Sequence, residues 1–224
     1  MLGVHGLGPK GSRLVQQGLR EHLLCDACEQ YINTNFEIPF KQQWLDGRPL
    51  QSPWPSGQVQ TIQVDYPSFK LFHLSVLYRA SISTLPTFSK ISLGPHEGRI
   101  RNMLQKRDPG PSNEYPILGY AVIEDRSSEI VPFVGLPVSV RQNGWRCCGL
   151  SYGGVQWWIG TSSHRNPAFE GVAMNAAGVL TLSAIPMSQD PSMMLAGDFI
   201  RAAPKRHAIR VNKWKAASGG ELRS

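Results

Sequence analysis

An α+β fold is predicted by three features: a change from helical to alternating hydrophobic period near Pro116, a two-residue hairpin signal at Asn143-Gly144, and a composition rich enough in apolar residues to build a core. The expected layout is a helical amino-terminal half carrying a CxxC zinc-knuckle-like element, followed by an antiparallel β half. The corresponding boundaries are a helical region over residues 1–115, an antiparallel β region over 116–203 and a basic flexible tail over 204–224. A chain of 224 residues buries roughly 70% of its unfolded surface. Its 41% apolar and 17% charged residues exclude a chain disordered throughout. No apolar run is long enough for a membrane span, and no secretory signal pattern opens the sequence, so a cytoplasmic protein without membrane contact is expected.

The elements follow in order. Gly3, Gly6, Gly8, Pro9 and Gly11 loosen the opening, after which Ser12 is placed to cap a helix beginning near Arg13. Cys25 and Cys28 fall at an element boundary, ahead of an apolar face of Tyr31, Ile32, Phe36 and Phe40 that runs as far as Pro39. Residues 47–67 are rich in Pro, Gly, Ser and Gln and read as a connector. Pro67 suits the first turn of a helix whose Phe69, Leu71, Phe72, Leu74, Leu77 and Ala80 surround most of the axis, which predicts near-complete burial. Pro95 opens a second helix with Ile100, Met103 and Leu104 inward and Arg99, Arg101, Lys106 and Arg107 outward, ended by Asp108-Pro109-Gly110. Strands are expected over 117–123, 134–140, 145–152, 155–160 and 179–185, with tight turns at Asn143-Gly144 and Gly153-Gly154.

Charge is unevenly placed. Residues 67–108 carry seven Lys and Arg against two Asp and Glu, and residues 201–224 carry seven against one, whereas the remaining segments are net acidic. Such clustering is a partner-facing pattern, and DNA or RNA is the partner it fits first, through release of counterions condensed on phosphates. The candidate contact residues are Arg99, Arg101, Lys106 and Arg107 on the second helix and Lys205, Arg206, Arg210 and Lys213 in the tail, where Trp214 is available to stack on a base. A solvated basic face accounts for the same residues without a ligand.

Cys25 and Cys28 have the spacing with which a tight knuckle aims two thiolates at one zinc ion at about 2.3 Å. Zinc takes four ligands, and Cys147-Cys148, adjacent in a predicted strand, point to opposite faces. His5 and His22 are the nearest imidazoles. A redox-active thiol pair and two ordinary structural cysteines are the competing readings.

The run from Gln17 through Gly18, Leu19, Glu21, Leu23, Leu24, Cys25 and Cys28 to Glu29 resembles the GLxExLLCxxCE segment of a bacterial group of proteins labelled HNH-endonuclease-like. The stretch Phe69 to Ser81, then Leu93-Gly94-Pro95-His96-Glu97, resembles the central helices of that group, and Tyr152-Gly153-Gly154-Val155-Gln156-Trp157 its hairpin. The resemblance implies zinc at Cys25 and Cys28. In that group, two further ligands and the water-activating histidine come from an upstream CxxC and a Ser/Asp-His-x-x-Pro segment, neither of which this sequence contains. The expectation is therefore a non-catalytic or degenerate HNH-like protein that binds nucleic acid, or a nucleic-acid-associated protein, through its basic helix. A metal-dependent endonuclease and a structural or assembly subunit are the alternatives, with a protein partner or a homo-oligomer as the further partner readings.

Three other motif matches carry less chemistry. Gly6-Leu7-Gly8-Pro9-Lys10-Gly11 fits GxGxxG, but no strand is predicted before it. Gly149-Leu150-Ser151-Tyr152-Gly153 fits GxSxG, but the chain continues as β where a nucleophile elbow needs a helix. His96-Glu97 lacks a second histidine four residues on, where Ile100 stands. Trp145, Trp157 and Trp158 are read mainly as packing residues, with alternation placing one of the adjacent pair outward.

Overall fold

The structure is a computed structural model that describes residues 4–5, 14–15, 21–55, 57–142 and 144–190. Lys205, Arg206, Arg210 and Lys213 lie outside the described residues. Strand β1 (Val4–His5) pairs antiparallel with β2 (Leu14–Val15), Val4 opposite Val15. The helix expected to begin near Arg13 is thus replaced at Leu14–Val15 by extended pairing.

Helix α1 (Asp26–Ile32) begins immediately after Cys25 and runs on through a π-helical stretch at Asn33–Glu37, α2 (Ile38–Phe40) and a second π-helical stretch at Lys41–Asp46. Helical structure passes through Pro39 instead of ending there. The wider π turns on either side relieve the clash between a proline ring and the carbonyl four residues back. Ile32, Phe36, Phe40 and Trp44 are all buried on this segment.

Helix α3 (Tyr66–Ile82) starts behind Asp65, whose carboxylate accepts the Ser68 N–H at 3.1 Å. The burial expected of it is found: Phe69, Leu74 and Leu77 have no exposed surface, and even Lys70 and His73 are enclosed. The Lys70 ammonium donates to Tyr66 Oη at 3.0 Å and to the Pro111 carbonyl at 2.7 Å. Helix α4 (His96–Lys106) packs beside α3 with Ile100, Met103 and Leu104 inward.

Six strands form one sheet in the order β3-β8-β4-β7-β6-β5. They are β3 (Gln60–Gln63), β4 (Ile117–Ile123), β5 (Val138–Gln142), β6 (Trp145–Tyr152), β7 (Val155–Gly160) and β8 (Val179–Pro186). The strands expected at 117–123, 145–152 and 155–160 are present with those bounds. Three expectations are corrected. The sheet is mixed, because β4 and β8 run parallel with Tyr120 opposite Ser183. The segment 47–67 contains β3, which pairs antiparallel with β8, so the amino-terminal half contributes an edge strand. The strand expected over 134–140 pairs only from Val138, opposite Gly149.

Both tight turns form where expected. Gln142 pairs with Trp145 across the first, and Gly144 has φ +78°. Tyr152 pairs with Val155 across the second, with Gly153 at φ +63° and Gly154 at φ +79°. A side chain at Gly153 would also collide with Trp44, whose ring atoms stand 2.9 Å from the position a Cβ would take. Trp44 Nε1 donates to the Gly153 carbonyl at 3.0 Å, tying the first helical segment to the sheet. Phe40, Phe69, Phe72, His73, Tyr152 and Trp157 complete an aromatic centre between helices and sheet. No helix among the described residues is long and apolar enough to cross a membrane.

Candidate nucleic-acid interface

Helix α4 separates its two faces by a simple rule. Residues 100, 103 and 104 recur at helical spacing and are buried against the core, which leaves the intervening positions to solvent. Arg99, Arg101, Lys106 and Arg107 are all exposed, as are Asn102 and Gln105. Arg107 closes the helix in the left-handed conformation, φ +53°, and the Asp108 N–H reaches back to the Met103 carbonyl at 3.0 Å. Tyr31 Oη donates to the Leu104 carbonyl at 3.0 Å and to that of Gln105 at 3.3 Å, so the CxxC-bearing helix is docked on the carboxy-terminal end of α4.

The four cations are not equivalent. Arg99 contacts the Glu114 carboxylate at 3.5 Å, which offsets part of its charge. Arg101, Lys106 and Arg107 make no ion pair among the described residues. Lys106 and Arg107 also sit where the partial negative charge of the helix terminus favours cations. The uncompensated positive charge of α4 is therefore concentrated toward its last two turns.

At the opposite end of α4 lies a polar cleft of about 250 Å³ lined by His96, Arg99, Glu114, Tyr115, Trp145 and Arg165 among others. His96 Nδ1 and Tyr115 Oη lie 3.1 Å apart. Partial burial lowers the His96 pKa, with Arg99 and Arg146 adding to the effect, while burial raises that of Tyr115. Tyr115 holds φ +49°, unusual for an aromatic residue, and its ring meets that of His96 edge-on at 5.6 Å. The cations of the cleft are matched by carboxylates: Arg99 by Glu114, and Arg165 by Glu170 through Nε and the guanidinium fork. The cleft offers polar hydrogen-bonding groups and a half-buried indole, Trp145, packed at 4.5 Å on Phe169. Sequence reasoning singled out Arg99, His96 and Trp145 separately. Their convergence with Glu114, Tyr115 and Arg165 depends on folding contacts that no local pattern announces.

Cys25 and Cys28 stand exposed and unoxidised at the start of α1. Cys25 has extended backbone angles and its carbonyl accepts the Glu29 N–H at 2.9 Å, which closes the first helical turn. The neighbouring Cys28, through its backbone N–H and its thiol, lowers the Cys25 pKa, and the same proximity raises that of Cys28. Among the described residues no third His, Cys, Asp or Glu joins them in a group that would hold a metal ion, His22 included. Cys147 is half-buried and Cys148 buried, on opposite faces of β6, and burial pushes the Cys147 thiol up to about 11. Ser151 of the GxSxG match is a buried strand residue bonded to Gln156, not a nucleophile at a turn.

No family model, curated protein or solved structure matches the chain.

Proposed function

We propose that this protein binds nucleic acid, DNA or RNA, without cleaving it, and that its contact surface is the outer face of α4. The observation that carries the reading is the set Arg101, Lys106 and Arg107, exposed on one rigid helix with no carboxylate paired to them among the described residues. Arg99 extends that face toward the cleft, where Glu114 restrains it. A helix pinned at both sides, by its buried stripe and by Tyr31, holds the backbone positions of these residues at fixed spacing, so phosphates dock without rearranging the backbone. Phosphate contacts of this kind position a nucleic acid and do not by themselves read its sequence.

The test is binding of a duplex and of a single strand as a function of salt. Each phosphate contact contributes about −0.9 to the slope of log affinity against log salt on duplex DNA, so three unpaired cations give roughly −2.7. Reversing Arg101, Lys106 and Arg107 to Glu together removes that slope and at least tenfold of the affinity at low salt, while circular dichroism stays unchanged. Equal binding by the reversed variant overturns the proposal.

A further inference from the structure

We propose that Cys25 and Cys28 form a thiol–disulfide exchange site that takes small organic disulfides as its oxidant. The site does not depend on nucleic-acid binding. Its first support is geometric. Cys25 is the extended N-cap of α1 and its carbonyl accepts the Glu29 N–H at 2.9 Å, which places Cys28 in the first turn beside it, with Cα atoms about 5 Å apart by helix geometry. That separation falls inside the roughly 4.4–6.8 Å range that a disulfide spans, so the spacing of the two positions suits the bond.

The second support is access. Both thiols are exposed, so a disulfide reagent reaches either sulfur from solvent. Two thiolates meet the full geometric demand of a disulfide, whereas they supply only half of the four donors of a structural zinc site.

The third support is what the bond would not do. It closes a loop of a single helical turn, and the restraint a disulfide places on the unfolded chain grows with loop length. Bracing is therefore a minor effect here, and the chemistry of exchange is what the pair supplies. Cys147 and Cys148 provide an internal contrast, since neighbours on opposite faces of β6 cannot bond to each other without tearing the strand.

The reaction balances in two steps. The Cys25 sulfur, having lost its proton, attacks one sulfur of R–S–S–R; that bond breaks, the departing RS⁻ takes a proton, and Cys25 is left in a mixed disulfide. The Cys28 sulfur then attacks the Cys25 sulfur and displaces the second RS⁻, which takes the proton Cys28 gave up. Two protein thiols are oxidised, one small disulfide is reduced to two thiols, and excess dithiol runs the sequence backward.

The experiment uses the full chain and glutathione disulfide, followed by alkylation under denaturing conditions and peptide mass spectrometry. The expected result is a peptide containing Cys25 and Cys28 that has lost two hydrogens, resists alkylation and recovers both thiols with dithiothreitol, while Cys147 and Cys148 alkylate fully. Cys28→Ser should stop at the first step, with one glutathione held on Cys25. Glutathione stably attached to each cysteine, or no oxidation of either, overturns the inference. So does one zinc ion per purified chain that is lost in Cys25→Ser and shields both thiols from alkylation.

Discussion

His73 is the most heavily constrained titratable residue of the core. It has no exposed surface, and Phe40, Phe69 and Trp157 surround its ring at centroid distances of 5.7, 4.6 and 4.6 Å. Its Nδ1–H donates to the Phe69 carbonyl at 2.8 Å, which leaves Nε2 as an acceptor. That nitrogen and the nearby Tyr152 hydroxyl have no hydrogen-bond partner among the described residues. Charging an imidazole there means placing a cation among aromatic rings, so burial pushes its pKa down to about 3. The unfolded chain binds the proton near 6.5 and the folded one does not, so the stability His73 contributes is present above pH 6.5 and is lost as pH falls toward 3. Replacing His73 by Phe should flatten that acid dependence, narrowing the difference in urea-unfolding free energy between pH 7 and pH 4.5 by about 3 kcal/mol, about 1.4 kcal/mol for each pH unit between 6.5 and 4.5. Parallel pH profiles for the two proteins would sink the assignment. The sequence marks position 73 only as one member of a buried helix; its neutrality at ordinary pH comes from rings contributed by three separate elements.

At the scale of elements, local chemistry explains why several boundaries were legible. Asp65 caps α3 because its carboxylate satisfies the Ser68 N–H that no preceding carbonyl can reach, and Pro67 has no N–H to satisfy. Asp65→Ala should cost about 1 kcal/mol, read as a lower urea midpoint with an unchanged slope. The glycine turns at 144 and 153–154 were legible for the same local reason, since their positive φ is strained for residues with a Cβ. Strand β3 was not legible. Its four residues sit in a stretch of turn formers and bury only Ile62, so it becomes a strand through the β8 backbone it meets, Gln60 opposite Leu182. Helix α4 combines both situations. Its apolar stripe predicts the exposed face, but the pairing of Arg99 with Glu114 and the Tyr31 contact at its far end come from residues distant in the chain.

The whole molecule is organised around Trp157, which is fully enclosed and donates from Nε1 to the Tyr152 carbonyl at 3.2 Å. Trp44 and Phe69 meet it from two different helical segments at 5.1 and 5.7 Å, and Gly119 on β4 lets the sheet pass close beneath its ring, 2.8 Å from where a Cβ would stand. Trp158, its neighbour, is only half-buried, as strand alternation requires. Trp157→Ala should cost about 3–5 kcal/mol, because the space of an indole enclosed by rigid rings cannot collapse. Thermal unfolding by circular dichroism measures this, and a loss under 1 kcal/mol would show that the helical layer does not depend on that contact.

Periodicity, caps and turn residues are properties of neighbours a few positions apart, so the sequence by itself determined that α3 is buried, that α4 turns a basic face outward, that Cys25 and Cys28 fall at an element boundary, and where β4, β6 and β7 begin and end. Which strand pairs with which depends on matching buried faces across long separations. Only the tertiary structure therefore decided the parallel contact of β4 with β8, the recruitment of β3, and the cleft that joins α4 to Tyr115, Trp145 and Arg165.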